Sequence, residues 1–134
     1  MFEVIEAVPE EPIRIFAAPD NAFRPGLVGQ FYNLEGNIVC GLSDGSKPIG
    51  IIDDFKIKTS WFDPTSLIRI WTQRMKFRTD EFDKDQPYRA GMALYVNKLG
   101  QFTSKVPDTQ DSSYVARLLI PPSPDTQYFE ALWL

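Results

Sequence analysis

"AGMALYVNKLGQFTSK", residues 90–105, has the form of a β-hairpin with its turn in view. Ala93, Tyr95 and Asn97 alternate with Leu94 and Val96, the period-two pattern of a strand whose faces meet different surroundings. Lys98-Leu99-Gly100 makes the turn, and Gln101-Phe102-Thr103 starts the chain back. Nothing in the stretch is reactive, so it reads as scaffold.

The same grammar extends in both directions. Eleven prolines and eight glycines punctuate stretches that are short and rich in β-branched and aromatic residues. Strands are expected near 27–33, 37–42, 48–57, 92–97, 101–106, 113–120 and 127–134. The stretch "TSLIRIWTQRMKF", residues 65–77, has no convincing helical stripe and reads as one long strand over 67–79. "PPSPD" at 121–125 is a rigid loop, because each proline fixes φ and removes a donor.

An internal echo supports the pattern. "GLVGQFYNLEGNIVCGLSDGSKPIGIID" and "YRAGMALYVNKLGQFTSKVPDTQDSSYVARLLI" each place a glycine (Gly29, Gly91) before a strand with a tyrosine (Tyr32, Tyr95). A turn glycine follows (Gly36, Gly100), then a short strand, a polar loop and an apolar return strand. Each unit describes a three-stranded meander, and two such units can close a small barrel. The expected fold is all-β: a small β-barrel or sandwich of short antiparallel strands over 27–134. An extended, Pro-rich N-terminal arm over 1–26 precedes it.

Composition narrows the function. One domain of 134 residues can bury a real core, and ten Phe, five Tyr and three Trp supply large buried areas. The net charge of −4 argues against a general nucleic-acid binder, which needs a basic surface. There is no histidine, which removes Ser-His-Asp and Cys-His catalysis and His-containing zinc sites. The single Cys40 sits in the apolar run "GNIVCGL" and reads as a buried structural thiol. The glutamates and prolines of the first sixteen residues do not form a signal peptide, and no apolar run approaches the ~20 residues of a membrane span. A soluble product with no membrane partner is expected.

Candidate chemical clusters are weak. Asp53 and Asp54 are adjacent on a strand and point to opposite faces. "DEFDKDQ" at 80–86 gathers four carboxylates but fails the EF-hand spacing, and reads as a solvated acidic loop. "GLSDGSKPIG" is not a phosphate loop, because Pro48 follows Lys47; its Asp44-Gly45 is a tight-turn pair. Arg74, Lys76 and Arg78 share one strand face, with Trp71, Met75 and Phe77 on the other. That segregation fits a charged surface for an acidic partner better than single-strand binding, where stacking and phosphate contacts share a face. The N-terminal arm alternates apolar residues (Phe2, Val4 and Ile5; Ile13, Ile15 and Phe16), broken by Pro9, Pro12, Pro19 and Pro25. It reads either as an edge strand of its own domain or as an arm that pairs with a neighbour's sheet. Phe2, Val4, Ile13, Ile15, Phe16, Arg74, Lys76, Arg78 and Trp133 are thus the expected partner interface. No catalytic residues, metal or cofactor are expected.

With "VGQFYNLEG", "SDGSKPIGIIDD", "AGMALYVNKLGQFTS", "YVARLLIPPS" and "YFEALWL", residues 27–134 resemble the decoration (cement) and other small β-structured head proteins of tailed bacteriophages. Ala116, where a glycine is usual, and the basic strand 67–79 depart from that pattern. The resemblance implies a non-enzymatic virion protein on the capsid exterior. It would bind the major capsid protein, self-associate as a homotrimer and recognise no specific nucleic acid. A tail, neck or baseplate component is the alternative within the same class. The alternative from another class is a β-barrel module binding glycan or single-stranded nucleic acid through Trp61, Trp71 or Trp133.

Overall fold

Turn residues cut the chain into short stretches rich in Ile, Val, Phe and Tyr, and those stretches are the strands. The computed structural model describes residues 1–7, 11–18, 23–60, 63–108 and 113–134, with the backbone alone for 54–60 and 63–66. Among the described residues there are eleven strands. They are β1 (Phe2–Ala7), β2 (Ile13–Phe16), β3 (Val28–Leu34), β4 (Asn37–Leu42), β5 (Gly50–Ser60), β6 (Asp63–Trp71), β7 (Met75–Thr79), β8 (Ala93–Val96), β9 (Phe102–Thr103), β10 (Ala116–Ile120) and β11 (Phe129–Trp133). No helix among those residues is long and apolar enough to cross a membrane. The chain is all-β, built of short antiparallel strands in two sheets, as its turn spacing predicts. One sheet has the order β1-β7-β11-β10-β8-β9 and the other β2-β6-β5-β3-β4.

The two sheets repeat one topology. Strands β2–β6 and β7–β11 each take the spatial order first, fifth, fourth, second, third. In both, a parallel bridge links the chain just after or at the end of the first strand to the third strand. It joins Ala17 to Cys40 in one sheet and Phe82 to Phe102 in the other. Backbone hydrogen bonds reinforce the bridges: the Ala18 N–H donates to the Cys40 carbonyl at 2.7 Å, and the Asp83 N–H to the Phe102 carbonyl at 2.8 Å. Each sheet therefore curls toward a small barrel, and β1 is an added edge strand on the second.

This arrangement corrects the expected meander. The strand after each hairpin pairs with the hairpin's first strand, β5 with β3 and β10 with β8, not with its second. The connectors explain it: 43–49 and 104–115 exceed the two to five residues of a tight hairpin. Gly29 lies opposite both Leu42 and Gly50, so the first connector straps across the end of β3 from one neighbour to the other.

The expected long strand over 67–79 is two strands in different sheets, separated at 72–74. The physical reason is how each half is buried. Ile68 and Ile70 face one core and Trp71 the other, so this half needs cover on both sides. Met75, Phe77 and Thr79 alternate buried with the half-buried Lys76 and Arg78, the pattern of a sheet with one open face. At the break, the Gln73 side-chain amide donates to the Glu11 carbonyl at 3.0 Å.

Two hydrophobic clusters result. The larger joins Phe77, Phe102, Phe129, Trp133, Leu94, Leu118 and Met75 to Val28, Ile51 and Trp71 from the other sheet. The smaller fills the five-stranded sheet with Cys40, Ile52, Ile68 and Ile70. Neighbours in sequence, Ile51 and Ile52, thus point into different cores, which is why "IGII" is apolar without alternation. Each fully buried large side chain contributes about 1.5–3 kcal/mol.

The two described pieces of the N-terminal segment are edge strands of this chain's own sheets rather than a free arm. β1 runs antiparallel to β7, and β2 to β6.

Candidate functional site

The β3–β4 hairpin is the most exposed regular structure among the described residues. Its eight residues 31–38 are all exposed, although all but the turn residues Glu35 and Gly36 are paired across the hairpin. Six cross-strand pairs hold it, from Gly29↔Leu42 to Leu34↔Asn37. The equivalent hairpin of the second unit, β8–β9, has only two, Tyr95↔Thr103 and Val96↔Phe102. The fold is built twice, and once it manages without the extra length.

The turn of this hairpin is Glu35-Gly36, with φ of 51° and 86°. Positive φ at both central residues is the type I′ geometry that matches strand twist. Gly36 accepts it freely, whereas Glu35 is a side chain in a left-handed conformation that favours Gly, Asn or Asp. The Asn33 carboxamide oxygen accepts the Gly36 N–H at 2.9 Å and steadies the turn. At the root, the Tyr32 hydroxyl donates to the Leu42 carbonyl at 2.7 Å. The Tyr32 ring lies over Gly41, where a Cβ would come within 2.7 Å of it. The hairpin is therefore braced at both ends.

Its side chains are apolar on both faces. Tyr32 and Leu34 alternate with Phe31, and Ile38 stands opposite Asn33. Leu34 is 44% exposed and Ile38 56%. From Gly26 to Ser43 the sequence carries one charge, Glu35, in a chain that is 24% charged. That long, nearly uncharged run was the available sequence signal, hidden because each half also reads as an ordinary strand.

The expected interface residues are scattered by comparison. Phe2 and Val4 are half-buried against the larger core, with Phe2 6.0 Å from Phe77 between ring centroids. The outer edge of β1 is guarded by Glu3, Glu6 and a register shift between Val4 and Glu6, features that discourage strand addition. Ile15 packs into the smaller core, while Ile13 and Phe16 are exposed on β2. Arg74 is exposed in the break between β6 and β7, and Lys76 is half-buried on β7. Arg78 is engaged within the chain: it pairs with Glu130 on β11 and with Glu3 on β1 at 3.4 Å, and lies 4.9 Å over the Tyr128 ring. Trp133 is buried in the core, edge-on to Phe102 at 6.3 Å, and offers no surface. Trp71 is buried too and donates its indole N–H to Asp53 at 3.0 Å. Neither tryptophan presents the open stacking face that a glycan or nucleobase needs. Trp61 lies outside the described residues.

The other sequence candidates have structural partners. In the acidic loop, Glu81 accepts a fork from Arg24 at 2.7 and 3.0 Å, and Asp83 accepts the Asp85 N–H at 3.0 Å. The Arg24 hydrogen bonds hold the Glu81 carboxyl below its ordinary pKa. In "SDGSK", Asp44 accepts from Ser46 N–H and Oγ at 2.9 and 2.6 Å, which lowers its pKa. Buried Gln30 accepts from the Ser43 hydroxyl at 3.0 Å and ties the loop to β3. Burial pushes the Cys40 thiol up to about 12, the state of an inert core residue. No group of three or more metal-binding side chains occurs among the described residues.

No protein-family model matches this chain, and no curated protein matches it.

A concave feature lies beside the second hairpin. A groove of about 500 Å³ is lined by the apolar Val96, Leu99, Val106 and Pro107 and by the charged Lys98, Lys105, Asp44, Asp83 and Asp108. Leu99 is 68% exposed and Val106 61%.

Proposed function

We propose that this chain is a non-enzymatic structural protein of a tailed-phage particle, a decoration protein that binds the outside of the head lattice and stabilises it. One observation carries the reading: a braced, two-faced apolar hairpin with a single charge, Glu35, is exposed on an otherwise more charged β-body. Such a feature gains free energy only by burial against another protein surface. The fold suits that work, since its edges at β1 and β9 are charged or bridged and a stiff body can transmit load. The acidic net charge of −4 favours a position away from packaged DNA. The sequence resemblance over 27–134 supplies the phage-head context. Within a lattice, many modest contacts add, so that each copy contributes to the shell's resistance to internal pressure.

The test is to mix purified protein with expanded, undecorated capsids. Saturable binding in proportion to capsid subunits, with a rise in capsid heat resistance, is expected. Absence of binding at saturating concentration would overturn the reading.

A further inference from the structure

We infer that the outer edge of β2 (Ile13–Phe16) receives an extended strand from another protein, one that alternates apolar residues with carboxylates. The inference goes beyond the capsid reading and does not rest on it.

The duplicated fold shows what such an edge takes. The first strands of the two units are β2 and β7, and each pairs on its inner side with its unit's fifth strand, β6 or β11. On the outer side of β7 lies β1, antiparallel over Phe2–Ala7. On the outer side of β2 the described residues supply no such strand. Past the Ala17–Cys40 bridge, no ladder among them joins β2 to β4. Burial repeats the contrast. Phe2 and Val4 of β1 pack against the larger core, and Met75 and Phe77 of β7 are buried. Ile13 shares its parity with Ile15, which packs into the smaller core, yet Ile13 is 42% exposed. The rim of the smaller core is open where a strand of β1's kind closes the larger one.

Charge states the partner's chemistry. The carboxylates of β1 stand opposite the cations of β7, Glu3 in register with Arg78 and Glu6 with Lys76. Arg78 lies between Glu3 at 3.4 Å and Glu130 of β11. The matching row of the first unit sets arginine against arginine, Arg14 opposite Arg69. Like charges directly opposite are destabilising. Arg69 has Asp53 at 4.0 Å, whereas Arg14 is exposed and makes no ion pair among the described residues. A carboxylate opposite Arg14 on an added strand restores the alternation seen around Arg78.

The backbone agrees. The Ala18 N–H donates to β4, so by the two-residue period the main-chain groups of Phe16 and Arg14 face that same outer side. Ile13–Phe16 holds no proline, and its register with β6 is unbroken. Main-chain hydrogen bonds then supply affinity, and Arg14 selects an acidic strand. A second copy's β1 has the right chemistry but is in use: five register pairs commit it to β7, and it seals the larger core. The occupant is therefore a strand of a different protein.

The probe is a fluorescent peptide with the sequence of residues 1–7, MFEVIEA, added to the full chain. Saturable anisotropy is expected, with amide hydrogen exchange slowed at Arg14 and Phe16 and unchanged over Met75–Thr79. Replacing both glutamates of the peptide by lysine is expected to weaken binding roughly fivefold. Arg14→Glu, at an exposed position that folding tolerates, is expected to reverse that preference. No binding at millimolar peptide, equal affinity for the two peptides, or an unchanged preference in Arg14→Glu would each overturn the inference. Protection confined to Met75–Thr79 would overturn it too, because the peptide has then replaced β1. So would protection of Arg14 and Phe16 that rises with protein concentration without peptide, because a second copy is then the occupant. None of these readouts involves the capsid, so the two readings stand or fall separately.

Discussion

The rings of Phe77 and Phe102 stack with centroids 5.3 Å apart, although their strands are four places apart in the six-stranded sheet. Only a strongly curled sheet brings such strands together. Phe129 lies edge-on to both, at 6.4 and 5.7 Å, and Trp133 lies edge-on to Phe102 at 6.3 Å.

That cluster sets the first prediction. Phe102→Ala removes a fully buried ring at the point where the sheet closes on itself, and is expected to cost about 3–5 kcal/mol. Phe16→Ala, on a 45% exposed edge-strand residue, is expected to cost under about 0.5 kcal/mol. Urea unfolding of both measures the difference. Equal midpoints would mean the sheet does not close over Phe102.

Much of this architecture was legible in the sequence, and the failures have physical causes. The strand at Ala93–Val96 and the turn at Gly100 were readable because one face is buried and the other is not. The duplicated unit was visible in Gly29 and Gly91, since strand and turn spacing survive when side chains diverge. Strand order was not visible: periodicity reports which face is buried, never which neighbour covers it, so the crossing of β5 to β3 looked like a meander. The split at 72–74 was hidden because Trp71 and Met75 share a parity while facing the common core from opposite sheets. The site was obscured for a related reason. Exposed Leu34 and Ile38 look like core residues in a sequence, and buried Trp133 looks like a terminal contact.

Two glycines with nearly the same φ separate conformational cost from steric cost. Gly36 has φ of 86° and open space around it, whereas Gly45 has φ of 94° and a Cβ there would lie 2.5 Å from the Val96 carbonyl oxygen. Gly36→Ala is expected to cost about 1 kcal/mol, the left-handed penalty alone. Gly45→Ala adds a clash with backbone that no rotamer relieves, and is expected to cost well over 2 kcal/mol. Thermal melts of the pair decide it; similar losses would rule out the packing of the 43–49 strap on β8.

Acid stability follows from two depressed carboxylates. Glu81, held by Arg24, and Asp44, held by Ser46, both bind protons less readily folded than unfolded. Their contribution is complete above the unfolded pKa values of 4.5 and 3.8 and is lost as pH falls through the lower folded ones. Stability is therefore expected to decline below about pH 4.5. Glu81→Gln is expected to flatten part of that decline and to cost about 1 kcal/mol at neutral pH. Denaturation at a series of pH values measures the slope; an unchanged slope in the variant would exclude Glu81 as its source.

Cys40 is predicted to resist thiol reagents at neutral pH in the folded chain and to react once the chain is unfolded. Its thiol is pushed up to about 12 by burial, so thiolate is scarce as well as shielded. Reaction with an aromatic disulfide, followed by absorbance with and without denaturant, checks it. Rapid labelling of the native protein would show that the Ala17–Cys40 closure opens readily.

The turn at Glu35 carries a conformational cost that one substitution relieves. Glu35 has a φ of 51° beside Gly36, and Asn is the residue best suited to the first position of a type I′ turn. Glu35→Asn is therefore expected to raise stability by about 0.5–1 kcal/mol, because the strained backbone is kept and its penalty reduced. Thermal melts of the variant and the wild type measure the gain. If it melts lower, Glu35 is serving the hairpin itself through contacts that outweigh its backbone strain.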